Sequence, residues 1–178
     1  MSKAIIERAL NQGNGVVRLA PNWVPRAFCR PGRRLRLHPD DYFALGTERG
    51  GIDERWFSST TPADNGPGTP ENQGLSFIVT EEGEQARLID AVSEFKGQVI
   101  GEDLYKKYGR WPMYSKFFDN KGPLPHHIHH NDKYAAKVGE AGKPEMYFFP
   151  AQYNNVYGGE LPMTFFGFNP GTTKAQVR

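Results

Sequence analysis

The chain of 178 residues has one cysteine, Cys29, so no internal disulfide can form and a reducing cytoplasm is the expected compartment. It has no apolar run of membrane-spanning length and no secretory signal, and its mean hydropathy is −0.64. No membrane association is expected. It also lacks an excess of one charge: 22 basic against 20 acidic residues leave a net +2, which argues against a polyanionic partner such as nucleic acid. Internal repeats, low-complexity domains and a recognisable phosphate loop are absent. Arg33 to His38 is a basic cluster, but no interleaved aromatics accompany it, and alternation of Leu35 and Leu37 with Arg34 and Arg36 reads as a half-buried strand with a solvated face.

What the sequence does have is glycine and proline, 20 and 14 residues, with 13% aromatics. That composition favours a strand-rich fold with many turns over a helical bundle, and the length suits one domain, residues 1–178. Residues 1–12 read as an amphipathic helix ended by Gly13-Asn14-Gly15. Strands are expected at Val16–Ala20, Leu75–Val79, Met113–Asp119, Glu145–Phe149 and Pro162–Phe168, with Pro21–Pro25 as a rigid connection. Gly50–Phe57 leads into a long polar loop from Ser58 to Gly74, a length that implies function or mobility. Between about 80 and 108 the pattern becomes helical: Leu88, Ile89, Val92 and Phe95 form one apolar stripe, and a shorter helix covers Glu102–Tyr108.

Four of the five histidines lie in Leu124-Pro125-His126-His127-Ile128-His129-His130, and Gly142-Lys143-Pro144-Glu145-Met146 follows after a short helix. For that helix Asn131 is the expected N-cap, Asp132 suits its positive end and Gly139 is the stop. On a strand over 126–130, His127 and His129 would share one face and His126 and His130 the other. Glu145, opening an apolar run, can then complete a site of two imidazoles and a carboxylate, a ligand set used by zinc, iron, manganese and nickel with a position left open. Histidines on a surface strand can equally be solvated side chains.

The lysine-ended strand before the ligand pair, the two-apart pair itself, the short helix and Lys143-Pro144-Glu145-Met146 resemble type I mannose-6-phosphate isomerases, a cupin family. Glu54, Trp56 and the helical insert fall where that family has similar features, and the resemblance spans roughly residues 45 to 150. It implies a mostly β, cupin-like domain (a double-stranded β-helix or jelly roll) with a helical insert at about 80–108. It also implies a divalent metal, zinc first, on His127, His129 and Glu145. The activity would be interconversion of an aldose and a ketose sugar or sugar phosphate, with Lys116 and Lys143 as catalytic candidates near the substrate. Departures are specific. His127 replaces the family's glutamine, Pro125 replaces a serine, and no histidine follows His130 to serve as fourth ligand; the second cupin motif is also missing. Either the chain is the N-terminal part of a longer protein, which is the expectation, or a three-ligand site suffices. The same donor set leaves open a non-haem iron oxygenase, or a sugar-binding cupin without turnover.

Overall fold

A computed structural model describes residues 2–150 and 167–177. The chain divides into two compact units, Met1–Lys121 and Gly122–Arg178. Among the described residues no helix is long and apolar enough to cross a membrane.

The first unit opens with α1 (Ser2–Gly13), whose Ile6 and Ala9 are buried as its helical spacing requires. Strand β1 (Arg18–Leu19) pairs antiparallel with β5 (Phe77–Val79), which pairs with β6 (Gln85–Arg87). The apolar stripe foreseen in the insert is realised in α2 (Leu88–Phe95), followed by the short α3 (Gly97–Ile100) and by α4 (Glu102–Tyr108). Helices α1 to α3 cover this sheet, and their shared core holds Ile6, Ile78, Ala86, Leu88, Ala91, Val92 and Ile100. Ile78 is 0% exposed at its centre. Ile78→Ala is expected to cost about 2–5 kcal/mol, the range for emptying a packed aliphatic position, read from the denaturant midpoint.

A second sheet has the order β2-β4-β7, formed by β2 (Asn22–Pro25), β4 (Ile52–Phe57) and β7 (Ser115–Phe118), antiparallel throughout. The segment expected to be a rigid connection at Pro21–Pro25 is thus a strand. Its prolines are tolerated because β2 is an edge, where a missing N–H costs no ladder bond on the solvent side. Trp56, Val24 and Ala63 form the core of this half, with Tyr114 stacked on Trp56 at 4.8 Å. Ala63 belongs to the polar loop 58–74. That loop is held down: Ala63 N–H bonds the Gln73 carbonyl, Asn65 Nδ2 bonds the Pro25 carbonyl, and Arg26 reaches the Asp64 carbonyl and Asn65 Oδ1.

The strand expected at Arg33–His38 is absent. Asp119 accepts the backbone N–H groups of Arg34 and Leu35, at 2.5 and 2.9 Å, so the donors a ladder would need are already spent. Arg33 and Arg36 have φ of +65° and +56°, which also breaks an extended run. Pairing here is limited to β3 (Arg30–Pro31) with β8 (Asn120–Lys121).

In the second unit, α5 (Asp132–Ala135) and the 3₁₀ turn Ala136–Val138 form the expected short helix, and α6 (Lys174–Val177) lies near the C-terminus. No strand occurs at 126–130 or 145–149. The expected strand Pro162–Phe168 falls mostly outside the described residues. The architecture is therefore one of small antiparallel sheets and helices, and the mostly β expectation is corrected to that extent: among the described residues the longest strand, β4, has 6 residues, whereas α1 has 12.

Candidate metal centre

Pro123 and Pro125 keep the chain from joining a ladder as it enters the histidines, because neither can donate and each restricts its predecessor. The reversal after them is built locally. Asn131 Oδ1 accepts the Tyr134 N–H at 3.3 Å as the N-cap, and Gly139, with φ +77°, ends the helical turn in the left-handed region. The returning segment is then fastened: Lys143 N–H bonds the His130 carbonyl at 3.2 Å, and Gly142 N–H bonds Asp132 Oδ1 at 2.9 Å. A side chain at Gly142 would strike the Asn131 and Asp132 backbone, so only glycine allows this approach. These pins carry Glu145 back to the histidines.

His127, His129 and Glu145 each offer one ligand atom, and the three atoms lie within 4.8 Å of one another. Two donors bound to one zinc at about 2.0–2.2 Å can be no more than about 4.4 Å apart, so a small side-chain rotation suffices for all three to share an ion. The residues fit the group in chemistry as well. His127 Nδ1 lies 2.7 Å from the Pro125 carbonyl, which can only accept; the proton therefore sits on Nδ1 and Nε2 presents a bare lone pair. His129 Nε2 is 2.7 Å from Glu145 Oε2. Partial burial, and next the Lys143 ammonium, hold His129 below the ordinary imidazole value, against the pull of Glu145.

The two imidazole rings meet edge to face with centroids 5.0 Å apart, the convergence that the two-residue spacing implies, achieved without a strand. His126 packs instead on Phe168 at 5.3 Å, and His130 lies 6.3 Å from the Tyr134 ring. Lys143 reaches the centre, its Nζ 3.4 Å from His129 Nε2 and 3.8 Å from Glu145 Oε2. Its ammonium competes with a metal for those atoms. Lys143→Met is expected to tighten zinc binding by up to about fivefold, the worth of an exposed ion pair of about 0.2–1 kcal/mol, measured by titration against a chromogenic chelator.

Lys116 belongs to the first unit. Its Nζ lies 3.3 Å from Glu54 Oε2, over the Phe118 ring at 4.6 Å and over Trp56 at 5.6 Å. Glu54 also takes both Nε and Nη2 of Arg26, at 3.0 and 3.3 Å, and the indole N–H of Trp56. The sequence reading did not find Arg26, since nothing in a lone arginine after Pro25 announces a partner 28 positions away.

No family model matches the chain, and no curated protein matches it. Among solved structures, a point mutant of phosphomannose isomerase from Salmonella typhimurium is similar at 20% identity with a TM-score of 0.45, covering 67% of this chain and 27% of that enzyme.

Proposed function

We propose that this chain carries a catalytic divalent-metal centre, with His127, His129 and Glu145 as protein ligands, in an aldose–ketose isomerase of sugars or sugar phosphates. The observation that carries the reading is the convergence of these three side chains from segments 127–129 and 145. Three protein ligands leave the remaining position for water or substrate, which is the arrangement of catalytic rather than structural sites. Zinc is the proposed ion, the cytoplasm the proposed compartment, and a cupin-like domain the proposed architecture.

A divalent ion, when bound, polarises neighbouring substrate oxygens and stabilises enediolate charge. The chain's own residues set up that chemistry. Pro125 fixes the His127 tautomer, the bond between Lys143 and His130 main chains fixes the distance between the ligand segments, and the Lys143 ammonium supplies positive charge and several donors for a sugar oxygen or a phosphate. The sequence resemblance supplies the substrate class.

The test is anaerobic incubation of the metal-loaded protein with hexose and hexose 6-phosphate in D2O, followed by NMR. Ketose formation with deuterium entering at the carbon next to the carbonyl, lost on chelation, is the expected result. No exchange and no ketose with zinc, manganese, nickel or iron would overturn the isomerase reading. Two imidazoles and one carboxylate are also the donor set of non-haem iron oxygenases. Iron-dependent oxygen consumption with sugar turnover only in air would select that reading.

A further inference from the structure

Asp53 lies in the centre of β4 and is 0% exposed, and both of its carboxylate oxygens lack a hydrogen-bond partner among the described residues. Its main chain cannot easily move, because β4 is paired on both edges and the Asp53 carbonyl accepts the Asp119 N–H at 2.7 Å. What packs against it is the turn from Arg26 to Gly32. Side chains at Gly50 and Gly51 would strike the Arg26 carbonyl and the Pro31 ring, so the turn rests directly on the start of β4. That turn is held by main-chain bonds from Arg26 N–H to Gly51, Cys29 N–H to Arg26 and Gly32 N–H to Asp119, by the pairing of Arg30–Pro31 with β8, and at its start by the Arg26 side chain on Glu54, Asp64 and Asn65. The half-buried Cys29 thiol faces Asp53.

The charged groups around Asp53 do not neutralise it. Glu54, from the same strand, repels it; Arg26 from the turn and Lys116 from β7 attract it, but both are bonded to Glu54. The Asp119 carboxylate is directed to Arg34 and Leu35. With only the Cys29 thiol, a weak donor, directed at it, the buried Asp53 carboxyl is costly to ionise, so it stays neutral or reaches water. Burial, then Glu54, push Asp53 up to about 8. Burial, then the charges of Asp53 and Glu54, push the Cys29 thiol up to about 12, so in the closed turn it is a poor nucleophile.

We propose that Asp53 is a proton-held latch: while neutral it lets the Arg26–Gly32 turn lie over it, and on ionising it drives that turn open and bares Cys29. The sign follows from linkage. Asp53 binds its proton more tightly when closed than when solvated, so the closed form is favoured at low pH, loses ground from the ordinary carboxylate range up to about 8, and loses no more above it.

Amide hydrogen exchange of the turn between pH 6 and 9, corrected for intrinsic rates, tests the latch. Protection at Cys29 and Gly32 is expected to fall by about tenfold per pH unit below about 8 and to level off above it, while Ile78 in the other sheet stays constant. Alkylation of Cys29 should rise over the same interval. In Asp53→Asn the exchange dependence should vanish, and alkylation should keep only the rise that ordinary ionisation of a thiol gives. In the parent, the infrared band of a protonated carboxyl should be present at pH 6, disappear where exchange levels off, and be missing from the variant. Turn protection that ignores pH, or that falls equally in Asp53→Asn, would overturn the proposal. Should the variant not fold, the parent decides alone: an infrared midpoint that coincides with the pH at which exchange levels off supports the latch, and separation of the two contradicts it.

Discussion

Glu145→Ala is expected to weaken zinc binding by more than the about 10–100-fold seen when only an outer partner of a ligand is lost, because it removes one of three donors outright. The remaining donors, His127 Nε2 and the His129 imidazole, are neutral bases, so the variant also loses the charge that balances a divalent cation. The fold should be little affected. Glu145 lies outside regular structure, and His129 and Lys143, with which it makes ion pairs, belong to the same two segments. Competition against a chelator of known affinity measures the change, and far-UV circular dichroism checks that the variant is folded. Glu145→Gln separates charge from shape, since it keeps an oxygen donor without the charge. His127→Ala should match Glu145→Ala, whereas His126→Ala, whose ring packs on Phe168, should leave affinity within about twofold, an effect below roughly 0.5 kcal/mol. Equal losses at His126 and His127 would mean that the cluster binds metal nonspecifically.

The second large effect is on stability. Glu54→Leu is expected to destabilise the first unit by about 3–5 kcal/mol, the cost of removing one member of a buried ion pair. The Glu54 side chain is 1% exposed and those of Arg26 and Lys116 are 11% and 17%, so both cations would be left poorly solvated. The Trp56 indole N–H would lose its acceptor as well. By contrast the Arg8–Glu84 pair at the edge of the other sheet is 45% and 41% exposed, and Glu84→Ala should cost less than about 1 kcal/mol. Urea unfolding followed by tryptophan fluorescence compares the two, since Trp23 and Trp56 lie in the sheet that holds Glu54. Similar small losses for both variants would mean that the Arg26 and Lys116 head groups reach water without Glu54.

Elements with a strong local signal were legible. The amphipathic repeat of α1, the Leu88–Phe95 stripe, the Asn131 cap and the Gly139 stop all depend on residues within a turn of one another, and all four occur. The strands expected at Leu75–Val79 and Met113–Asp119 exist but are shorter, at Phe77–Val79 and Ser115–Phe118, while Ile52–Phe57, to which no element was assigned, is the central strand of its sheet. What was hidden is long-range. Alternation in Arg33–His38 looks like a strand until Asp119, 85 positions from Arg34, takes its N–H groups. Alternation in His126–His130 also looks like a strand, yet two prolines and the short helical reversal position the same side chains without any ladder. The convergence of His127 with His129 needed only their spacing. That of Glu145 needed the Gly142 and Lys143 main-chain bonds, which no periodicity displays. Asp53, apolar in pattern and acidic in kind, could not be assigned a role until its burial was known.

The central claim is that His127, His129 and Glu145 share one divalent ion, and equilibrium binding of cobalt(II), as a spectroscopic stand-in for zinc, to the 178-residue chain tests it most directly. The account predicts about one equivalent bound, a visible spectrum characteristic of low-coordinate nitrogen and oxygen ligation, and displacement by zinc, with all three lost in His129→Ala and Glu145→Ala. Cobalt that fails to bind the parent, or binds both variants as well as the parent, would contradict it.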